Sequence, residues 1–374
     1  MSFLTGFLYV VLALVILLFM VLVHELGHYI AGRLLKFKIE EFSIGFGKAL
    51  FSRTNKRGEK ISIRIFPLGG YCAFKGEGDD AEHPEPDAFN AQKPWKRIIV
   101  FLAGVVMNFL TAVLFSLILL CTVGYDVPQI SSTSITVNGE NNQTVEITAQ
   151  GLEEGDVVLS IDGTKVDFAF GDTFQNLIAQ KQQEVAAFVE GGGNVEDYSF
   201  KAVVRRDGGQ QEVDVYFNYV VSYQDDGTTV ASRDYLLGIT YSPYVYTFWE
   251  ALGRCWEFAF GLAWVVLKTL WLLITFQLPL SSIGGPITTI TTIASATQTN
   301  WLNLLILIPM ISANLAVFNI LPFPALDGSH VLFTTIEWIR KKPIKRSVEN
   351  MIHFVGLCIL FAFVIIVDIL HFVL

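Results

Sequence analysis

Charge is the scarce ingredient of this 374-residue chain: 16% of its residues are Asp, Glu, Lys or Arg, where soluble domains carry roughly 25%. Cysteine is scarce too. Cys72, Cys121, Cys255 and Cys358 never form a CxxC pair, so neither a disulfide framework nor a thiolate zinc site is signalled. Basic excess is missing: 26 Lys and Arg stand against 35 Asp and Glu. That balance argues against a nucleic-acid partner, because a phosphate binder needs a basic face. No basic leader or small-residue cleavage site accompanies the first apolar run, which therefore reads as a retained helix and not a removed signal peptide. What is abundant is apolar surface, with 52% hydrophobic residues, 30 Phe and a mean hydropathy of +0.49. A purely soluble enzyme is excluded, and the length excludes a transporter of ten or more helices.

Apolar runs at Phe3–Val23, Ile98–Val123, Trp301–Leu321 and Met351–Leu374 each reach the roughly 20 residues that cross a hydrocarbon core. A further greasy stretch occupies Trp249–Phe276. Residues 31–97 carry 13 Lys/Arg against 9 Asp/Glu, whereas residues 124–249 carry 6 against 19. Cytoplasmic loops are the basic ones, so the first segment is expected inside and the acidic one outside. Arg340, Lys341, Lys342, Lys345 and Arg346 are expected inside as well, which requires an odd number of crossings after the acidic segment. Parity then demotes Trp249–Phe276. Its charges Glu250, Arg254, Glu257 and Lys268, at about 100° per residue, fall within an arc of about 60°, which fits an amphipathic helix lying on the membrane or bracing the others. The competing reading is a true span with one polar stripe facing protein.

Residues 124–245 differ in texture. Alternating runs such as Val145–Thr148, Val157–Ile161 and Val213–Phe217 are punctuated by Asp162-Gly163 and Asp207-Gly208-Gly209, with one helical stretch at Thr173–Val189. The expected division is therefore 1–123, with two spans and a cytoplasmic loop; 124–245, an extracytoplasmic β-rich domain; 246–298, the amphipathic helix and a connecting loop; and 299–374, two more spans. The expected class is a polytopic α-helical membrane protein with about four transmembrane helices, its N-terminus and β-rich domain outside.

The first span is expected to end in His24-Glu25-Leu26-Gly27-His28, an HExxH sequence. One helical turn separates the two histidines, so both imidazoles project from one face and can share a zinc ion, with Glu25 beside them as a base toward water. Ionisable groups at membrane depth are costly and functional by default. The plain alternative is a pair of interfacial histidines with Glu25 reaching to water. A catalytic zinc takes three protein ligands, and the other candidates in the apolar segments are Asp327, His330, His353, Asp368 and His371. Asp327 follows Pro322 and Pro324, whose interruption of a helix is tolerated at membrane depth only where it is buried in protein or lines a cavity. It is the preferred third ligand; the alternative is a helix cap.

With HExxH in the first span and Asn319-Ile320-Leu321-Pro322-Phe323-Pro324-Ala325-Leu326-Asp327-Gly328 at the third, the chain resembles the bacterial site-2 proteases, intramembrane zinc metalloproteases typified by the regulator of sigma-E protease. Gly45-Phe46-Gly47, Phe66–Tyr71 and Asn108-Phe109 look like the family's cytoplasmic-side pattern, and Gly285-Pro286-Ile287 like the element before its third span. Gly151-Leu152, Gly155–Val158 and Ile161-Asp162-Gly163 look like its PDZ domain, here a single one. The resemblance implies that His24, His28 and Asp327 bind Zn2+, that Glu25 is the catalytic base, and that Asn319 helps hold the substrate strand. It also implies a membrane-dipping β-hairpin around Ile61–Tyr71, with Ile61, Ile63, Ile65, Gly69 and Gly70 in contact with an unwound transmembrane substrate. The PDZ-like domain would screen substrates or bind a carboxyl-terminal peptide. The proline that many relatives place after the glycine of the second span is absent at Val105, which bears on gating. Competing classes are a noncatalytic PDZ-bearing adaptor with a vestigial metal site, against which the retention of Glu25, both histidines and Asp327 argues, and a metal transporter, which the single outer domain fits poorly.

Overall fold

Long apolar runs without turn residues have one economical solution to their backbone hydrogen bonds, the helix. The computed structural model describes residues 3–78, 85–125, 127–168, 171–224, 226–280 and 284–373. In chain order it begins with α1 (Phe3–Leu34), β1 (Ile39–Thr54), β2 (Lys60–Phe74) and α2 (Pro94–Thr122). A β-rich stretch follows: β3 (Pro128–Ser132), β4 (Ser134–Asn138), β5 (Thr144–Thr148), β6 (Val157–Ile161), β7 (Thr164–Lys165), α3 (Phe174–Glu190), β8 (Ser199–Arg206), β9 (Gly209–Tyr216), β10 (Asn218–Tyr223), β11 (Val230–Leu236) and β12 (Thr240–Pro243). The chain closes with α4 (Phe248–Ile274), α5 (Pro286–Thr299), α6 (Leu304–Ile320), α7 (Asp327–Arg340) and α8 (Arg346–Val373). Two compact units result: Met1–Ser116 with Cys255–Leu374, and Leu117–Arg254. Among the described residues no disulfide joins any of the four cysteines.

Among the described residues, five helical segments are long and apolar enough to cross a membrane: Gly6–Leu34, Pro94–Thr122, Phe248–Ile274, Trp301–Ile320 and Arg346–His371. The third is the stretch that charge parity demotes, and by length and composition it qualifies with the rest. The first helix does not end at His28. Nothing in Tyr29–Leu34 breaks it, and it stops only where Lys36 turns left-handed (φ 63°) and the Phe37 N–H returns to Gly32 O at 2.8 Å. The expected connecting loop up to residue 298 is also corrected, since 286–299 is the helix α5. Pro286 opens it, and the Asp368 carboxylate accepts the N–H groups of Ile287 (3.1 Å) and Thr288 (3.2 Å), capping it from α8.

β1 and β2 form a hairpin that folds back on itself into one small sheet. Residues 41–44 of β1 pair both with 70–73 and with 60–63, and residues 60–64 pair again with 49–54. The order across this sheet is therefore 70–74, 39–44, 60–64, 49–54. Between α6 and α7 the chain breaks over 321–326, where Pro322 and Pro324 offer no N–H and Ala325 is left-handed (φ 79°). Gly328 is obligatory just beyond, because a Cβ there would lie 2.2 Å from Ile320 O. A buried ionic chain ties α2 to α7 and α8: Arg97 Nη1 meets Glu337 Oε2 at 2.8 Å, and Arg346 meets both Glu337 (3.1 Å) and Glu349.

In the β-rich unit, β12-β3-β6-β8-β9 form a sheet, with β7 beside β6. Ile130, Val158, Ile161, Val204 and Val215 fill the core with Val185 of α3. Thr173 caps α3 through the Asn176 N–H at 3.3 Å. β12 is an edge strand. Cavities of about 330 and 230 Å³ are lined by α3 residues Phe174, Gln175 and Ile178 and by Leu237, Gly238 and Tyr241.

Candidate metal centre

Helical spacing puts His24 and His28 on one face of α1, and the break before α7 brings Asp327 to them. His24 Nε2 lies 3.1 Å from His28 Nε2 and 2.9 Å from Asp327 Oδ2, and His28 Nε2 lies 3.4 Å from the same oxygen. With metal–ligand bonds of about 2.0–2.2 Å, a tetrahedral zinc site has ligand–ligand edges of about 3.3–3.6 Å. The His28–Asp327 separation falls on that edge, and the two that involve His24 are a few tenths of an ångström shorter. Asp327 Oδ2 is buried and faces both imidazole Nε2 atoms and no other polar group, so the three donor atoms converge on one point. Two imidazoles and a carboxylate are a suitable donor set for zinc, and three protein ligands leave a fourth position open.

α2 forms the wall behind the histidines. His28 Nδ1–H donates to Val100 O at 2.8 Å, and His24 Nδ1 faces the Asn108 side-chain amide at 3.2 Å. Between them a Cβ on Gly104 would lie 2.6 Å from His24 Cε1 and 2.6 Å from His28 Nε2. Gly27 of α1 permits the same close approach from the other side, since its Cβ would meet Ala103 O at 2.4 Å. Glu25 is half-buried, its carboxylate accepting the Cys72 N–H, and a Cβ on Gly70 would touch its Cγ at 3.4 Å. The chain segment 70–74, paired on one side only, thus runs beside the HExxH helix.

Within the hairpin expected around Ile61–Tyr71, the pairing distinguishes interior from edge. Ile61 pairs with Phe42 and Arg53, and Ile63 with Ile44 and Phe51, so their backbones are interior to the sheet. Their side chains and that of Ile65 are exposed and apolar. Gly69 (φ 134°) and Gly70 lie buried at the segment nearest Glu25. Asn319 sits half-buried in the last turn of α6, just ahead of the break.

Among the other sequence candidates, Asp368 is occupied as the cap of α5, and His371 is exposed at the end of α8. His330, Glu349 and His353 form a second cluster, their ligand-type atoms within 4.8 Å. It is built differently. His353 Nδ1 accepts the Ala325 N–H at 2.9 Å, which in the neutral ring leaves the proton on Nε2, 3.8 Å from Glu349 Oε1. A nitrogen that carries a proton is no metal ligand, and this histidine instead holds the left-handed residue two before Asp327. Sequence reasoning gave no role to Val100 or Gly104 and placed Asn108 only within a family pattern. Their spacing of four residues along an apolar helix was the available signal.

Comparison with known proteins supplies a family for the chain. Residues 12–363 match the family described as Peptidase family M50. Proteins named "putative zinc metalloprotease" align along nearly their whole length. One from Campylobacter jejuni is 28% identical over 91% of this chain and 87% of its own, and one from Clostridium perfringens is 30% identical over 96% and 97%. A third, from Fusobacterium nucleatum, is 26% identical over 96% of each.

Proposed function

The chain belongs to peptidase family M50, whose members depend on zinc, and on that premise we propose that it is an intramembrane endopeptidase cutting within or near transmembrane segments of other membrane proteins. The observation that carries this reading is the convergence of His24 Nε2, His28 Nε2 and Asp327 Oδ2 between helices apolar enough to span a bilayer. These three residues would hold the metal. When bound, zinc supplies Lewis-acid polarisation of a peptide carbonyl and acidifies water toward neutrality. Glu25 takes up the proton of the attacking water and returns it to the leaving amine. A transmembrane helix satisfies its own backbone, so the substrate must first unwind and find other partners. The 70–74 edge beside Glu25 supplies them better than residues 61–65, whose hydrogen bonds are already made. The exposed side chains of Ile61, Ile63 and Ile65 face lipid or substrate, and Asn319 holds the substrate strand.

In this reading the β-rich unit is a single PDZ-like domain outside the membrane. The exposed edge of β12 beside the α3 cavities suits an extended peptide added as a further strand, such as a carboxyl terminus freed by an earlier cut. Anti-sigma factors and signal-peptide remnants are the substrate class, and the process is regulated intramembrane proteolysis at the bacterial plasma membrane.

The test is turnover of a model transmembrane substrate by purified protein in detergent, with zinc measured in parallel. Glu25→Gln is expected to keep stoichiometric zinc and lose at least about 10²–10⁴-fold in rate. Asp327→Asn is expected to weaken both. Full turnover by Glu25→Gln would remove the proposed base.

A further inference from the structure

Val100, Gly104 and Asn108 lie one turn apart on α2, and the outer two each meet the non-ligand nitrogen of one histidine. For His28 the partner is a main-chain carbonyl. An oxygen can only accept, so Nδ1 carries a proton, and the neutral ring then presents a bare Nε2 toward Asp327. For His24 the partner is a side chain that can donate or accept. Asn108 is fully buried, its own main-chain carbonyl accepts Ser312 Oγ–H at 2.7 Å, and its amide Oδ1 has no partner.

We propose that Asn108 is a positioning residue for the metal centre, its amide oxygen accepting Nδ1–H of His24 and so leaving His24 Nε2 as the ligand nitrogen. The inference rests on His24, His28 and Asp327 being the zinc ligands. The amide can occupy its site in two orientations related by a half-turn, of almost identical shape. With Nδ2 toward the ring, the amide donates to Nδ1 and the ring proton moves to Nε2. There it points at Asp327 Oδ2, 2.9 Å away, and stands in the place of a cation. With Oδ1 toward the ring, Nδ1 carries the proton and Nε2 is free. The structure has Nδ2 toward His24 Nδ1 at 3.2 Å and Oδ1 without a partner; a half-turn exchanges that bond for one from Nδ1–H to Oδ1, so the number of amide–imidazole hydrogen bonds is unchanged. Only the second matches what Val100 O imposes on His28. Such outer partners fix ring orientation and tautomer, and their loss typically weakens metal binding 10–100-fold.

The two variants that separate the orientations are Asn108→Asp, nearly isosteric and able only to accept, and Asn108→Leu, of similar shape and able to do neither. Zinc affinity of the full-length protein in detergent, by competition with a chromophoric chelator, is the readout, with thermal melts of the metal-free forms alongside. Asn108→Asp is expected to bind zinc at least as tightly as the parent, and Asn108→Leu 10–100-fold more weakly with the metal-free melt little changed. Asn108→Asp binding 10-fold or more weakly overturns the proposal, because an amide nitrogen would then be the working atom. Parental affinity in Asn108→Leu overturns it as well. If Asn108→Leu does not fold, the comparison of Asn108→Asp with the parent decides alone. A parent protein that binds no stoichiometric zinc defeats the ligand assignment itself, a failure distinct from these.

Discussion

At Gly104 a methyl group would lie 2.6 Å from atoms of both histidine rings, closer than any real carbon contact, and the far neighbours are aromatic rings anchored at Val100 and Asn108. Alanine normally gains about 1 kcal/mol over glycine in a helix. Here that gain cannot be realised without moving a ligand. Gly104→Ala is expected to cost at least about 10-fold in zinc affinity. Gly253→Ala, on a helix with nothing within 4 Å of its Cβ, is expected to be neutral or stabilising in a thermal melt. Unchanged zinc affinity in Gly104→Ala would sink the account of α2 as the wall of the site. The pairing of His24 with His28 was legible in the sequence because helical spacing alone puts them on one face. Gly104 and Asn108 were not, because their roles exist only once α2 packs on α1, a contact between residues some 80 positions apart.

Among the elements, the hairpin carries the feature that local pattern could not reveal. Alternation in Ile61–Ile65 identifies a strand and an apolar face, yet which strand is left unpaired depends on how β1 doubles back between both ends of β2. That register is non-local, and the break at 321–326, written in two prolines, was by contrast plain. Inside the hairpin Glu41 is partly buried, which works against its charge. Hydrogen bonds from Ser62, Arg64 and Tyr71 outweigh this and hold the carboxyl down to about 2, below its ordinary 4.5. A carboxyl whose folded value lies below its unfolded one stabilises fully above about pH 4.5, and that contribution is lost as pH falls toward 2. Hydrogen-exchange protection of residues 60–64, corrected for the intrinsic pH dependence, is expected to decline across that window. In Glu41→Gln protection should be lower at pH 7 and flat between pH 4.5 and 2. A parallel decline in both proteins would show that Glu41 is not the titrating group.

For the molecule as a whole, the number of crossings turns on α4. α4 buries Ala251, Cys255, Phe258 and Leu262 while Trp249, Trp256, Trp264 and Trp271 are exposed, a face suited to lipid in either arrangement. Single cysteines at Asp207 and Lys341, in a protein whose four native cysteines are replaced, are expected to react with an impermeant thiol reagent from opposite sides of sealed cells. Labelling from the same side would mean that α4 spans, giving five crossings. Deletion of residues 126–243 is expected to permit cleavage of substrates that keep bulky outer domains, if the β-rich unit screens by size. Unchanged discrimination between short and bulky substrates would refute that role. One further consequence follows from the unbroken length of α1. At 1.5 Å per residue, Glu25 lies about 33 Å from the first residue of that helix and only about 14 Å from its last. Under the proposed activity the helix is a ruler, and a scissile bond brought to Glu25 is cut far off-centre. The two products are then unequal: one keeps nearly a full apolar span and stays anchored, while the other leaves with a tail too short to hold it, so a single hydrolysis is also a one-way release.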